Sequence, residues 1–241
     1  MKQAKIFLTA EWRNIIMFNY EVDPAILERL VPAGTTLDTF EGKTWVSLVG
    51  FEFNRTRILG LRIPFHQAFP EVNLRFYVQG PAGRGVVFIR ELVPKTAVAF
   101  VARFVFGENY SCVPMSCRTE KLADGDIAAA EYSWGSGPDL CSMRLDTEEA
   151  GSLPSEGSLA QFITEHYWGY SRQRDGGSLE YEVQHARWPV QQSKKAALYG
   201  NPTRFYGDKL AQVFMRAPDS AFLIKGSPVT VFRGRPVRSL L

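Results

Sequence analysis

The stretch Glu71-Val72-Asn73-Leu74-Arg75-Phe76-Tyr77-Val78-Gln79 alternates between two kinds of side chain without a break. A period of two belongs to a β-strand: Val72, Leu74, Phe76 and Val78 share one face, and Glu71, Asn73, Arg75 and Tyr77 share the other. The next residues, Gly80-Pro81-Ala82-Gly83-Arg84-Gly85, read as a turn, and Val86 to Val93 as the returning strand of a hairpin. The glycines there do not make a phosphate-cradling loop, because a strand follows them and such a loop needs a helix N-terminus.

Strand signals continue on both sides of this hairpin. Upstream, Asn14 to Val22 reads as a buried strand that stops at Asp23-Pro24, an N-cap followed by a first-turn proline, so Ala25 to Leu30 should form a short helix. Glu41-Gly42-Lys43 then turns into a strand from Thr44 to Phe53. Downstream, further strands are expected near Cys112–Glu120, Ile127–Trp134, Leu140–Leu145, Leu179–Ala186, Ala196–Tyr199, Ala221–Lys225 and Val229–Phe232. Two helices interrupt them. Thr96 to Phe106 is apolar nearly all round and ends at Gly107, and Ser158 with Gln161 forms a capping box that opens a helix to about Tyr170. The expected class is α+β but mainly β, with all 241 residues in one domain; Thr147 to Gly157 is the weakest seam.

Bulk properties narrow the function classes. Hydrophobic residues make up 45% of the chain and charged residues 22%, near globular averages, which excludes disordered and collagen-like classes. A net charge of +3, with both signs dispersed, argues against a nucleic-acid partner. No apolar run reaches the roughly 18–20 residues of a membrane span, and the N-terminus lacks a signal-peptide apolar region, so no membrane partner is expected. Three cysteines do not make a disulfide framework and fit a reducing compartment, with the cytoplasm as the default expectation.

The usual sources of chemistry are thin. Cys112 and Cys117 lie five apart, on opposite faces of a strand, and His66, His166 and His185 have no ligand spacing, so no zinc site and no cofactor is expected. There is no Gly-x-Ser-x-Gly nucleophile elbow. The polar face of Glu71, Asn73, Arg75 and Tyr77 remains. An open antiparallel sheet sends such a face to water; a sheet that curls closed turns it inward, where charged groups must pair or meet a ligand. Arg90 and Glu91 on the returning strand point to opposite faces, so one of them would join that set. Arg103, on the apolar helix, is either paired inside or snorkelling to the surface.

Several blocks resemble a known family. Phe69-Pro70-Glu71-Val72-Asn73-Leu74-Arg75-Phe76-Tyr77-Val78 is similar to the signature strand of the YqjF-like proteins, as are Glu108-Asn109-Tyr110 with Met115 beyond it, and Phe162-Ile163-Thr164-Glu165-His166-Tyr167. That family is grouped with the acetoacetate decarboxylase-like fold. The resemblance therefore implies an antiparallel, closed or cone-like β-barrel with flanking helices around a central cavity. Acetoacetate decarboxylases work through a Schiff-base lysine beside a second lysine, with an arginine and two glutamates close by. Arg13 matches the arginine, and Arg90-Glu91-Leu92 matches an Arg-Glu-Leu of the decarboxylases. Lys95 after Pro94 is similar to the lysine motif once a gap is opened, whereas Thr96 stands at the second lysine, and Ser47 and an apolar residue near Ile58 stand at the glutamates.

Two readings of function follow. In the first, the protein is an enzyme for a small carboxylate or keto acid, a decarboxylase-like lyase. Lys95 and Glu71 would be its catalytic groups, Arg13 or Arg75 would hold the carboxylate, and Tyr77, Tyr110, Tyr167 and Tyr170 would wall the pocket. The resemblance adds Asn73, Met115 and Glu165 to the binding set. In the second, the cavity only binds or sequesters a small molecule. Against both stands a plain structural pairing of Glu71 with Arg75. A homo-oligomer is compatible with each reading.

Overall fold

The computed structural model describes residues 5–122, 125–148 and 150–237; the side chains at 101–104, Arg103 among them, lie outside the described set. Two sheets account for most of the chain. The strands of the larger are β1 (Ile6–Val22), β2 (Thr44–Ile58), β3 (Phe69–Gly80), β4 (Gly83–Val93), β8 (Trp168–Arg172), β9 (Ser178–His185) and β11 (Ser220–Phe232), with shorter bridges at their edges. The smaller contains β5 (Met115–Lys121), β6 (Ile127–Trp134), β7 (Cys141–Asp146) and β10 (Lys195–Tyr199). The helices are α1 (Pro24–Leu27), α2 (Thr96–Val105), α3 (Leu159–Thr164) and α4 (Thr203–Val213). None of the described helices is long and apolar enough to cross a membrane.

The period-two pattern of β3 divides the molecule into two layers. Val72, Leu74, Phe76 and Val78 are all buried to 0% exposure and pack with Tyr132 and Trp134 of β6, Met143 and Leu145 of β7, and Leu210 of α4. Burying each such side chain stabilises the fold by about 1.5–3 kcal/mol, so this face fixes the small sheet against the outside of the large one. The layers meet closely at Gly50, where an added Cβ would stand 2.6 Å from the Tyr132 ring. Glycine there lets Tyr132 reach across and donate a 2.7 Å hydrogen bond to the Asn14 carbonyl. Asn14 itself has φ of +55°, at the point where the β1–β2 register shifts.

The opposite face of β3 looks into a second apolar cluster that includes Ile15, Met17, Val49, Phe51, Phe53 and Phe69. In hydrogen-bonding order the large sheet runs β11, β1, β2, β3, β4, β8, β9, and β9 also pairs with β11 from Val183 to His185.

Two local expectations need correction, and one helix goes unforeseen. The Ser158 cap forms as expected, its hydroxyl accepting from the Gln161 amide, but the helix stops at Thr164 and Trp168–Arg172 is strand β8. Strand pairing decides this: Gly169 sits opposite Tyr181 of β9, so close beneath its ring that a Cβ would collide at 2.2 Å. The two strands read at 221–225 and 229–232 are one strand, continuous through Gly226, whose φ of +85° spans the irregularity. Helix α4 has no counterpart in the sequence reading, because Gly207, with φ of +74°, kinks it and breaks its periodicity.

Candidate functional site

The inner face of the large sheet encloses a cavity of about 330 Å³. Trp12, Ile15 and Met17 of β1, Val49, Phe51 and Phe53 of β2, Phe69 of β3 and Phe88 of β4 give it a largely apolar wall. Glu71, Asn73 and Arg75 line it too, which settles the direction of the polar face of β3: it points inward.

Three carboxyl groups meet in this apolar setting. Glu91 pairs across the ladder with Asn73, and a register irregularity between Leu74 and Arg75 gives Glu91 its inward direction. Arg90 turns the other way and binds the Phe205 carbonyl, Asn109 and Ser111. Tyr110, in a short strand parallel to β4, sits opposite Glu91, and Glu108 precedes it by two residues on the same side. Glu71, Glu91 and Glu108 are exposed by only 2%, 2% and 6%. Asn73 donates to Glu71 Oε1 at 3.1 Å, Tyr110 donates to Glu71 Oε2 at 3.1 Å, and Tyr181 donates to Glu108 Oε1 at 2.8 Å.

Burial away from water disfavours a charged carboxylate. It pushes Glu71 up to about 7 and Glu108 up to about 8. Glu91 is driven well above the usual carboxylate range by burial first and by the charges of Glu108 and Glu71 second. At neutral pH the cluster therefore carries protons that carboxyl groups normally lack. His166 shows the complementary effect: burial holds it well below the ordinary imidazole range, in a site packed by the rings of Tyr77 and Phe162.

Arg75 stands two positions along β3 from Asn73. Its Nη2 donates to the Ile163 carbonyl at 3.1 Å and contacts the Met17 sulfur at 3.9 Å, and its guanidinium lies 5.8 Å from the centre of the Tyr77 ring. Among the described residues it has no carboxylate partner, so the structural pairing of Glu71 with Arg75 does not form. Its Nε, with Asn73 Oδ1 and Glu91 Oε2, is buried without a hydrogen-bond partner.

Of the other residues picked out by sequence, only Tyr110 reaches the cavity wall. Tyr77 is buried behind Arg75, its hydroxyl bonded to Ser47. Arg13 folds back onto Glu11 at 2.8 Å. Lys95 lies partly exposed just before α2 and is not among the residues that line the cavity, although Ala97 and Val98 are; no lysine is among the described residues that line it. The strand ends at Val93, so Pro94 and Lys95 lie between it and the α2 residues that reach the cavity wall. Met115 packs against the outer core, Glu165 pairs with Arg187 at 2.6 Å, and Tyr167 lies against His185. Tyr170, now in β8, covers Gly80 and Gly85 and donates to the Gly83 carbonyl. Sequence alone gives Glu108 and Tyr181 no role at the site. The offset of two in Glu108-Asn109-Tyr110 was the available signal for the first; nothing local marks Tyr181.

A mainly β chain with this strand arrangement has the fold of acetoacetate decarboxylase-like enzymes. It superposes on the acetoacetate decarboxylase of Legionella pneumophila with a TM-score of 0.70 at 10% identity, covering 98% of this chain and 89% of that one. An acetoacetate decarboxylase-like enzyme from Sphingomonas wittichii RW1 gives 0.68 at 12% identity, with 98% and 95% covered. The enduracididine biosynthesis enzyme MppR, solved in complex with pyruvate, gives 0.69 at 12% identity, with 100% and 93% covered. The chain belongs to the DUF2071 family of uncharacterized conserved proteins, whose model matches residues 9–228. It is 29% identical over 214 residues to the uncharacterized protein YqjF of Bacillus subtilis (strain 168), covering 83% of this chain and 82% of that protein.

Proposed function

We propose that the protein takes a small carboxylate or keto acid into the cavity, with Arg75 holding the carboxylate and Glu71 exchanging a proton with the bound molecule. The observation that carries this reading is the pair of roles set on one strand face. Arg75 is a half-buried cation with no carboxylate partner among the described residues, and burial against apolar walls pushes Glu71 up to about 7. A guanidinium binds a carboxylate through two parallel hydrogen bonds, and a carboxyl group whose pKa lies near the working pH is suited to both taking and giving a proton. In this reading the seven strands of the large sheet close as a cone-like barrel, supported by the pairing of β9 with both β8 and β11. The pyruvate held by MppR is in keeping with a ligand of this class. The chemistry differs from that of a Schiff-base decarboxylase, since the cavity wall offers no described lysine.

Caproate and α-ketocaproate test this. Both should raise the melting temperature, and Arg75→Met should abolish the effect while leaving the unliganded protein folded. Wild-type protein in D2O should exchange the protons beside the keto group of α-ketocaproate, followed by NMR, and Glu71→Gln should not. Binding without exchange would make the protein a non-catalytic binding module. Borohydride-trapped adducts on a lysine would overturn the proposed mechanism.

A further inference from the structure

The two ends of the polar strip in the cavity have opposite hydrogen-bonding deficits. Around Glu71 the donors are engaged: the Asn73 amide and the Tyr110 hydroxyl both donate to Glu71, and Tyr181 donates to Glu108. The oxygens left without a partner there are Asn73 Oδ1 and Glu91 Oε2, the second an acceptor once the carboxyl group has given up its proton, on side chains exposed by 4% and 2% that line the cavity. At Arg75 the unpartnered atom is a donor, Nε. Elsewhere on the wall the Trp12 indole nitrogen and the Thr56 hydroxyl are also without partners. A buried polar atom left unsatisfied costs on the order of 1–3 kcal/mol, and a ligand that supplies its missing partner recovers that cost.

We propose that the carboxyl end of the cavity, formed by Glu71, Asn73 and Glu91, receives an ammonium group, so that the ligand is a small zwitterion with its amine remote from its carboxylate. This rests on the reading that Arg75 holds the carboxylate. An ammonium has three donors and no acceptor, the complement of oxygens left without donors. Arg75 lies four positions along β3 from Glu71 and two from Asn73, about 13 Å and about 7 Å along the backbone. A flexible chain of several methylenes then lies against Met17, Val49, Phe51 and Phe69, which offer it no polar contact. An arriving cation favours the charged form of nearby carboxyl groups, so protons held by the cluster pass to solvent as the amine binds.

Isothermal titration of the intact protein with caproate, hexylamine and ε-aminocaproate tests this. ε-Aminocaproate should bind at least tenfold tighter than caproate, and its observed heat should depend on the ionisation enthalpy of the buffer, with proton release at pH 7. Glu91→Gln should erase the tenfold advantage and leave caproate binding intact; Asn73→Leu provides a second variant should the first fail to fold. If caproate binds and the amino acid binds no better, the ammonium site is wrong and the Arg75 reading stands. Hexylamine binding alone would keep the ammonium site and remove Arg75 as the carboxylate partner. No binding by any of the three overturns both.

Discussion

Glu91 stands directly across the ladder from Asn73, and the irregularity in register between Leu74 and Arg75 is what places it there. A side-chain period of two means that a one-residue shift exchanges the faces of a strand. Without that irregularity Glu91 and Arg90 would trade places, and the cavity would hold a second guanidinium in place of its third carboxyl group.

The carboxyl cluster makes stability depend on pH in a direction opposite to ordinary acid denaturation. Glu71 and Glu108 have folded-state values of about 7 and about 8, against 4.5 for an unperturbed glutamate. The folded state therefore binds more protons, and the stability this confers is fully present below about 4.5 and is lost as pH rises through 7 and 8. The loss is on the order of a few kcal/mol. Asp219, held low by its bond from Arg216 and the Glu21 amide despite its partial burial, acts the other way and weakens the fold in strong acid. Melting temperature should thus be highest in mild acid and fall from pH 5 to pH 8. Glu71→Gln with Glu108→Gln should flatten that fall, and an unchanged slope in the double variant would mean that other groups titrate.

Gly169 connects the fold to the cluster. Its missing side chain lets the Tyr181 ring lie across β8 and reach Glu108. Gly169→Ala should push the ring away, cost about 1–3 kcal/mol by overpacking, and free Glu108 from its hydrogen-bond donor. Urea denaturation reads the first effect. Tyr181→Phe, which removes the bond without crowding, separates it from the second.

Gly50→Ala should act at the other face. The added methyl meets the Tyr132 ring, so the small sheet must shift away from the large one. Destabilisation of about 1–3 kcal/mol is expected. Ligand-induced stabilisation should persist, because neither residue lines the cavity.

Lys95→Met should change little. The side chain is partly exposed, precedes α2 and is not among the described residues that line the cavity, and substitutions at such positions are usually worth within about 0.5 kcal/mol. Loss of ligand binding in this variant, measured by titration with caproate, would return Lys95 to the site.

Much of the architecture was legible one strand at a time. The alternation over Glu71–Gln79, the turn at 80–85, the Asp23 cap and the Gly107 stop each follow from local rules, and each has its counterpart in the structure. The failures were also local in origin. Trp168-Gly169-Tyr170 continues a helical stripe on paper, and only its pairing with Glu180–Glu182 makes it a strand. Gly207 concealed α4 by breaking a pattern that tertiary packing restores.

For the site, the sequence by itself determined which side chains of β3 share a face, because strand geometry leaves no alternative. It did not determine whether that face meets water or a hollow. That depended on strands more than a hundred residues away returning to pair, as Val183–His185 does with Val229–Val231. The grouping of Glu71 with Glu91, Glu108 and Tyr181 was likewise decided only in three dimensions, since burial and mutual charge arise from neighbours brought together by the fold. The same carboxyl groups on an open strand would be ordinary acids; enclosed among apolar rings, they hold protons at neutral pH.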